Sequence, residues 1–234
     1  MTERPAGTRV LLFDYGGTLD AEGVPWKDRF FRLAREAGLE MPQAEFDPAF
    51  YGATDSLEGR IAGLGLRATV ERIADGLASR LGREGSLLRR IGDRFTAESR
   101  RQLAESVTLL SGLRDRYRIG IVSNFYGNLQ AVCDEVGLTP AIDVAVDSTL
   151  AGCKKPDPRI FQAALDALAA APAEAVFVGD SLRRDMAGAR GIGMRHVWLR
   201  PGGAAGDGGA CCPQDPVIGR LAELSRLAPP ETGG

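Results

Sequence analysis

Five short apolar segments, separated by stretches with helical periodicity, limit the folds open to this chain more than any other feature of its sequence. Each segment is four to six residues long, which suits a buried strand. Strands that alternate with helices of this kind favour right-handed crossovers and a parallel sheet covered on both faces, so the sequence predicts an α/β fold. The predicted strands are residues 9–13, 117–122, 142–146, 175–178 and 195–199, and the predicted helices between them are residues 128–136, 158–170 and 184–189.

The stretch between the first two predicted strands has a different pattern. Residues 21–105 carry apolar side chains at helical spacing, as in Trp26, Phe30 and Leu33, and contain no convincing strand. We therefore expect an all-helical domain, residues 21–105, inserted into an α/β core domain made of residues 1–20 and 106–234. Within the core domain, residues 200–210 are expected to form a flexible loop and residues 229–234 a frayed tail.

Composition argues against several classes of protein. The 29 basic and 31 acidic residues give this 234-residue chain a net charge of −2, which disfavours nucleic-acid binding through bulk electrostatics. No apolar signal segment and no run of roughly 18 apolar residues occurs, so no membrane span is expected. The four cysteines lack zinc-site spacing, which favours reduced thiols and a cytoplasmic location. The oligomeric state is not readable from these features.

Four reactive side chains lie at or near the predicted strand ends. Asp14, Ser123 and Asp180 directly follow apolar runs, and Lys155 lies in the loop after the third run. Because ligands bind beyond the carboxyl ends of parallel strands, we expect these groups to meet at one edge of the sheet. There Asp14 could act as a nucleophile, Ser123 could donate to a phosphoryl oxygen, Lys155 could neutralise charge, and Asp180 could bind Mg²⁺.

The same side chains belong to four motifs that resemble, in order and spacing, those of the haloacid dehalogenase (HAD) superfamily. The resemblance covers essentially the whole chain and implies a Rossmann-like, three-layer core with a parallel sheet. The helical insertion resembles the C1 cap of the subfamily that includes small-molecule phosphatases. The motifs are Asp14-Tyr-Gly-Gly-Thr18-Leu-Asp20, Val122-Ser123-Asn124, Lys155-Pro156-Asp157-Pro158, and Val178-Gly179-Asp180-Ser181 with Asp185.

The resemblance implies a role for each matching residue. It implies a Mg²⁺-dependent hydrolase that forms an aspartyl-phosphate on Asp14 with a small phosphorylated metabolite as substrate. Asp14, Ser123 and Lys155 would be catalytic. Gly17, Thr18 and Asn124 would bind the phosphate or position its loop. Asp14, Asp180 and the backbone carbonyl of Gly16 would bind the metal. Asp185 would order water or Lys155.

Gly16 departs from the resemblance. Phosphatases of the superfamily carry a second Asp at this position, which protonates the leaving oxygen and then activates water, whereas glycine retains only the backbone carbonyl. A positioned acid or base contributes about 10² to 10⁴ in rate, so its loss should cripple turnover without necessarily abolishing it. The sequence thus predicts a phosphatase or phosphoryl-transfer enzyme with impaired or unusual acid–base chemistry. Asp20 is a candidate replacement for the missing carboxylate, or else the phosphoryl donor carries a good leaving group that needs little protonation.

Other interpretations of Gly16 stay open. A catalytically silent protein that keeps the fold and binds a phosphorylated ligand or a protein partner would also tolerate glycine. A phosphonatase would need a cap lysine, for which Lys27 is the sole candidate in the insertion. A metal-independent dehalogenase also lacks the second Asp but does not share the Gly-Asp-Ser of the fourth motif. Elsewhere, Trp26 could line the substrate cleft, and His196 is expected to be a core residue within its strand.

Overall fold

The computed structural model describes residues 7–202 and 216–227, which form a parallel six-stranded sheet flanked by helices. The strand order is β3-β2-β1-β4-β5-β6, with β1 in the interior of the sheet. All five predicted strands are present, and the predicted α/β fold is confirmed. The strands are β1 (Val10–Phe13), β2 (Arg118–Ser123), β3 (Val144–Asp147), β4 (Ala175–Gly179), β5 (Arg195–Leu199) and β6 (Val217–Ile218).

Four helices lie between β1 and β2, as the apolar spacing of this stretch predicts. They are α1 (Trp26–Glu36), α2 (Gln43–Asp55), α3 (Leu66–Leu81) and α4 (Gly85–Leu113). The last helix is 29 residues long and continues through residue 105 without a break. The division of the chain into separate domains at residues 20 and 105 therefore remains a prediction.

Shorter helices connect the later strands. They are α5 (Leu129–Glu135), α6 (Ser148–Ala151), α7 (Pro158–Ala167), α8 (Ala187–Gly191) and, after β6, α9 (Leu224–Leu227). The prediction of a helix over residues 184–189 is wrong in its bounds, because a wider turn occupies Leu182–Met186 before α8 begins. The third strand likewise starts two residues later than predicted, after the 3₁₀ turn Thr139–Ala141.

The side chains of β1 alternate between two hydrophobic clusters, one on each face of the sheet. Leu11 and Phe13 belong to a cluster that includes apolar side chains of α1, α2, α3 and α4. Val10 and Leu12 belong to a second cluster with α7 and α8. All four side chains are less than a tenth exposed. The sheet is therefore buried on both faces, as a parallel sheet requires, and the end of β1 is held rigidly.

Several predictions concern segments outside the described residues. Most of the predicted loop, residues 200–210, and the predicted tail, residues 229–234, lie there, as do Cys211 and Cys212. The other two cysteines, Cys133 and Cys153, are free thiols. Within residues 7–202 and 216–227, no helix combines the length and the apolar character needed to cross a bilayer.

Candidate active site

Asp14 follows the last residue of β1 and faces two polar side chains from neighbouring segments. The hydroxyl of Ser123, at the end of β2, donates to Oδ1 of Asp14 at 2.8 Å. The ammonium of Lys155 lies 2.7 Å from the same oxygen. Both contacts use Oδ1, and neither uses Oδ2. Three of the predicted site residues thus meet at one carboxylate.

Lys155 is held between two carboxylates and is only 4% exposed. Its Nζ lies 2.7 Å from Oδ1 of Asp185 as well as 2.7 Å from Oδ1 of Asp14. Burial lowers the pKa of Lys155, but the two carboxylates outweigh burial and hold the pKa above its ordinary value. The ammonium therefore stays charged beside Asp14, and Asp185 lies where the sequence predicts a residue that orders Lys155.

Asn124 and Thr18 position other site residues. Oδ1 of Asn124 accepts from the backbone N–H of Lys155 at 2.7 Å, and its Nδ2 donates to the carbonyl of Lys155 at 3.1 Å. The hydroxyl of Thr18 donates to Oδ1 of Asp180 at 2.9 Å. In this structure both side chains hold their loops, and the phosphate-binding role expected of them stays a prediction.

Asp14, Asp180 and Asp185 form an acidic cluster whose nearest oxygens lie within 4.8 Å of one another. Burial first, and then repulsion from Asp14 and Asp185, raise the pKa of Asp180 to about 8. A divalent cation would relieve this repulsion, and clustered carboxylate oxygens are the hard donors that Mg²⁺ prefers. The residues present therefore fit a Mg²⁺ ion, with Asp14 and Asp180 as ligands and Asp185 shared with Lys155.

Gly17 borders the acidic cluster in a conformation that favours glycine. Its φ is +94°, and a Cβ at this position would lie 2.9 Å from Oδ2 of Asp180. Gly63 has a similar φ of +80° in the insertion, but a Cβ at that position would meet no atom within 4 Å. An alanine at either position would strain the backbone, but only an alanine at position 17 would also crowd Asp180. Comparing the two substitutions therefore separates these two costs in stability.

We expect Gly17→Ala to destabilise the protein by about 1–3 kcal/mol and to remove the stabilisation conferred by Mg²⁺. The matched control Gly63→Ala should show the backbone cost alone and keep the response to Mg²⁺. Urea unfolding of both variants, with and without Mg²⁺, measures the difference. Equal responses to Mg²⁺ in the two variants would contradict this account of Gly17.

Asp20 is buried and fully engaged, and this excludes it as a replacement acid–base group. Its Oδ1 accepts from the backbone N–H of Gly17 at 2.7 Å. Its Oδ2 accepts from Nε1 of Trp26 at 2.7 Å, from Nη1 of Arg29 at 2.8 Å and from the hydroxyl of Ser99 at 3.0 Å. Because Asp20 is 1% exposed, it cannot reach a substrate. Its hydrogen bond to the backbone of Gly17 instead stabilises the loop that follows Asp14.

A cavity of about 480 Å³ lies beside Asp14. Residues of the inserted helices and residues that follow the strands of the sheet line it. Gly16 and Trp26 line it together, so the expectation that Trp26 borders the cleft is met. Sequence reasoning did not find Tyr51, Tyr126 or Arg184, which also line the cavity. Tyr126 and Arg184 lie three and four residues after Ser123 and Asp180, and this proximity to two motifs was the available signal.

Lys27 also lines the cavity, where its ammonium lies 2.6 Å from Asp47 and 3.4 Å from Asp28. Burial lowers the pKa of Lys27, but these carboxylates outweigh burial and raise the pKa above its ordinary value. A lysine that forms a Schiff base needs its neutral amine, so this setting disfavours the phosphonatase interpretation. His196 lies buried in β5 and is not among the residues that line the cavity.

The comparison with protein families agrees with the geometry of the site. A family model described as haloacid dehalogenase-like hydrolase matches residues 8–193. The chain belongs to this family. The matched range includes every predicted site residue of the HAD-like hydrolase, from Asp14 to Asp185.

Three curated relatives of the HAD-like hydrolase differ in how much of their length they share with it. Bovine haloacid dehalogenase-like hydrolase domain-containing protein 3 is 40% identical over 110 residues, which cover 46% of this chain and 43% of that protein. Phosphoserine phosphatase of Thermus thermophilus is 30% identical over 210 residues, covering 83% and 82%. Glyceraldehyde 3-phosphate phosphatase of Pyrococcus furiosus is 36% identical over 98 residues, covering 41% and 40%. The chain thus spans less than half of the bovine and Pyrococcus proteins.

Solved structures share the fold of the HAD-like hydrolase. A HAD phosphatase from Thermococcus onnurineus superposes with a TM-score of 0.58 at 24% identity, covering 94% of this chain and 98% of that one. A 2-haloacid dehalogenase from Pseudomonas syringae superposes with a TM-score of 0.55 at 21% identity and the same coverage. Because phosphatases and dehalogenases share this architecture, the fold alone does not decide the reaction.

Proposed function

We propose that this HAD-like hydrolase is a Mg²⁺-dependent phosphatase that forms an aspartyl-phosphate on Asp14. The observation that carries the proposal is the pairing of Asp14 Oδ1 with both Ser123 and Lys155, which leaves Oδ2 for attack at the floor of the cavity. The names of the Thermus and Pyrococcus relatives, both phosphatases, support it. The substrate would be a small phosphorylated metabolite, which suits a cavity of about 480 Å³.

In the first step, Oδ2 of Asp14 attacks phosphorus and the bond from phosphorus to the leaving oxygen breaks. The electron pair of that bond stays on the leaving oxygen, which takes its proton from water. Lys155 orients Asp14 through their ion pair, and its charge offsets the charge that develops on the phosphoryl oxygens. The hydroxyl of Ser123 can transfer its hydrogen bond from Asp14 to a phosphoryl oxygen. A Mg²⁺ ion held by Asp14, Asp180 and the Gly16 carbonyl would supply further neutralisation of phosphate charge when bound.

In the second step, water attacks phosphorus and the bond between phosphorus and Asp14 Oδ2 breaks, which releases inorganic phosphate. The proton of the water leaves with the phosphate or passes to solvent. Residues 21–105 would act as a cap that excludes bulk water during the reaction. Lys27, Tyr51 and Glu58 line the cavity from this cap, and Asn124 and Tyr126 line it from the core.

The proposal predicts phosphate release that depends on Mg²⁺. A panel of small phosphate esters should include at least one that the wild-type protein hydrolyses with Mg²⁺, and excess chelator should reduce that rate by about 10²-fold or more. Measurement of inorganic phosphate, before and after restoring Mg²⁺, tests both statements. An unchanged rate in the presence of chelator would contradict the role of the acidic cluster.

A binding protein without turnover is the second candidate, and the glycine at position 16 favours it. In that case the whole panel would give no phosphate, yet inorganic phosphate with Mg²⁺ would still raise the unfolding temperature of the protein. The same two measurements therefore decide between hydrolysis and binding alone.

A further inference from the structure

Trp26 borders the space that a side chain at position 16 would occupy, and a Cβ there would be in tight contact with the indole. Gly16 has φ −80° and ψ 113°, a conformation open to any residue, so its backbone does not require glycine. A Cβ there would lie 3.3 Å from Nε1 and 3.5 Å from Cδ1 of Trp26. Gly16 lies two residues after Asp14, and both line the cavity with Trp26. An indole therefore stands beside the nucleophile where a proton donor could otherwise reach the breaking bond.

The indole is fixed and its N–H is unavailable to a substrate. Nε1 donates to Oδ2 of Asp20 at 2.7 Å, and Asp20 is buried. The ring makes edge contacts with Phe95 and Phe125 at centroid distances of 5.1 and 5.8 Å. Rotation of Trp26 toward a leaving group would break this hydrogen bond and leave a buried acceptor with one fewer donor.

Most other carboxylates among the described residues that line the cavity form hydrogen bonds or ion pairs with neighbouring side chains. Asp28 accepts from Gln43 and lies 3.4 Å from the ammonium of Lys27. Glu58 forms an ion pair with Lys154. The described residues that line the cavity include no histidine. Outside the acidic cluster, Asp55 is the lining carboxylate that is exposed and forms no ion pair or side-chain hydrogen bond among the described residues.

We propose that the enzyme acts on aryl phosphates, whose leaving group departs as a stable phenolate and needs no proton from the protein. This inference rests on the proposed phosphatase function. As Asp14 Oδ2 bonds to phosphorus, the electron pair of the breaking bond leaves on the phenolate oxygen, which takes its proton later from water. Tyr51, which is 48% exposed, is the cavity ring most accessible to an aryl group. It is one of five aromatic side chains that line the cavity: Trp26, Phe50, Tyr51, Phe125 and Tyr126.

The test compares 4-nitrophenyl phosphate with benzyl phosphate, which has a similar ring but a far more basic leaving group. With saturating Mg²⁺, the wild-type kcat/KM for 4-nitrophenyl phosphate should exceed that for benzyl phosphate by at least about 10²-fold, since no positioned acid assists the poorer leaving group. A smaller ratio would overturn the inference. Failure to hydrolyse either ester, together with no turnover of the wider panel, would instead overturn the proposed function.

Two variants test which side chains set the ratio of kcat/KM for the two esters. Gly16→Asp combined with Trp26→Leu removes the indole and supplies a carboxyl group, and it should reduce the ratio by about tenfold or more. Asp55→Asn tests the remaining exposed carboxylate and should leave the ratio unchanged. An increase of the ratio in Asp55→Asn would show that Asp55 donates the proton and would overturn the inference, even if the double variant fails to fold.

Discussion

Asp14→Asn should lose at least about 10³-fold of the phosphatase activity, because the amide lacks the charge and the nucleophilic oxygen that attack on phosphorus requires. The fold should survive, since Lys155 keeps its ion pair with Asp185 and Ser123 can still donate to the amide oxygen. Phosphate release with Mg²⁺ measures the activity, and circular dichroism with thermal unfolding verifies the fold.

The matched control for this prediction is Asp115→Asn. Asp115 is exposed and lies in the turn after α4, away from the residues that line the cavity. The same change of charge there should leave the rate unaltered. If Asp14→Asn retained more than about a tenth of the wild-type rate, Asp14 could not be the nucleophile, and the mechanism derived from its contacts would have to be abandoned.

The largest effect on stability is expected for Arg29→Met. Arg29 is 3% exposed, and its guanidinium pairs with Asp20 at 2.8 Å and also donates to Ser99 and to the carbonyl of Phe95. Its removal leaves the Asp20 carboxylate buried without a counter-charge, which typically costs about 3–5 kcal/mol. Urea unfolding should show this loss of free energy, and activity should fall because Asp20 holds the Gly17 backbone and Trp26.

Two further variants test the cause of that loss. Arg32→Met removes a half-exposed arginine of the same helix that pairs with Glu36 and Glu98, and it should cost less than about 1 kcal/mol. Asp20→Asn combined with Arg29→Met removes both buried charges and should be more stable than Arg29→Met alone. A loss below about 1 kcal/mol in Arg29→Met would mean that water reaches Asp20.

The sheet edge could be predicted from the sequence because the rule that governs it is local. An apolar run that ends at a polar residue marks the carboxyl end of a strand, and parallel strands bring these ends together. Asp14 and Ser123 lie far apart in the chain but come within 2.8 Å of each other for this reason. The helical insertion could be predicted equally well, because its apolar spacing continues over many turns.

The support behind the nucleophile loop could not be predicted in the same way. Asp20 and Ser99 are separated by 79 residues, and their contact depends on how α4 packs against α1. No periodicity encodes that packing, so Asp20 resembled a free carboxylate near the site. β6 was missed for a different reason, since two residues are too short to carry a strand pattern.

The hydrophobic cluster shared by the sheet and the inserted helices limits how such an enzyme can be re-engineered. The apolar side chains of α1 to α4 belong to the same hydrophobic cluster as Leu11 and Phe13, which lie on one face of the sheet. A different set of helices transplanted between β1 and β2 would have to match that face in shape and volume, or leave it open to water. Changing the substrate by exchanging this segment therefore means redesigning the shared cluster, whereas replacing an exposed cavity residue such as Tyr51 leaves that cluster intact.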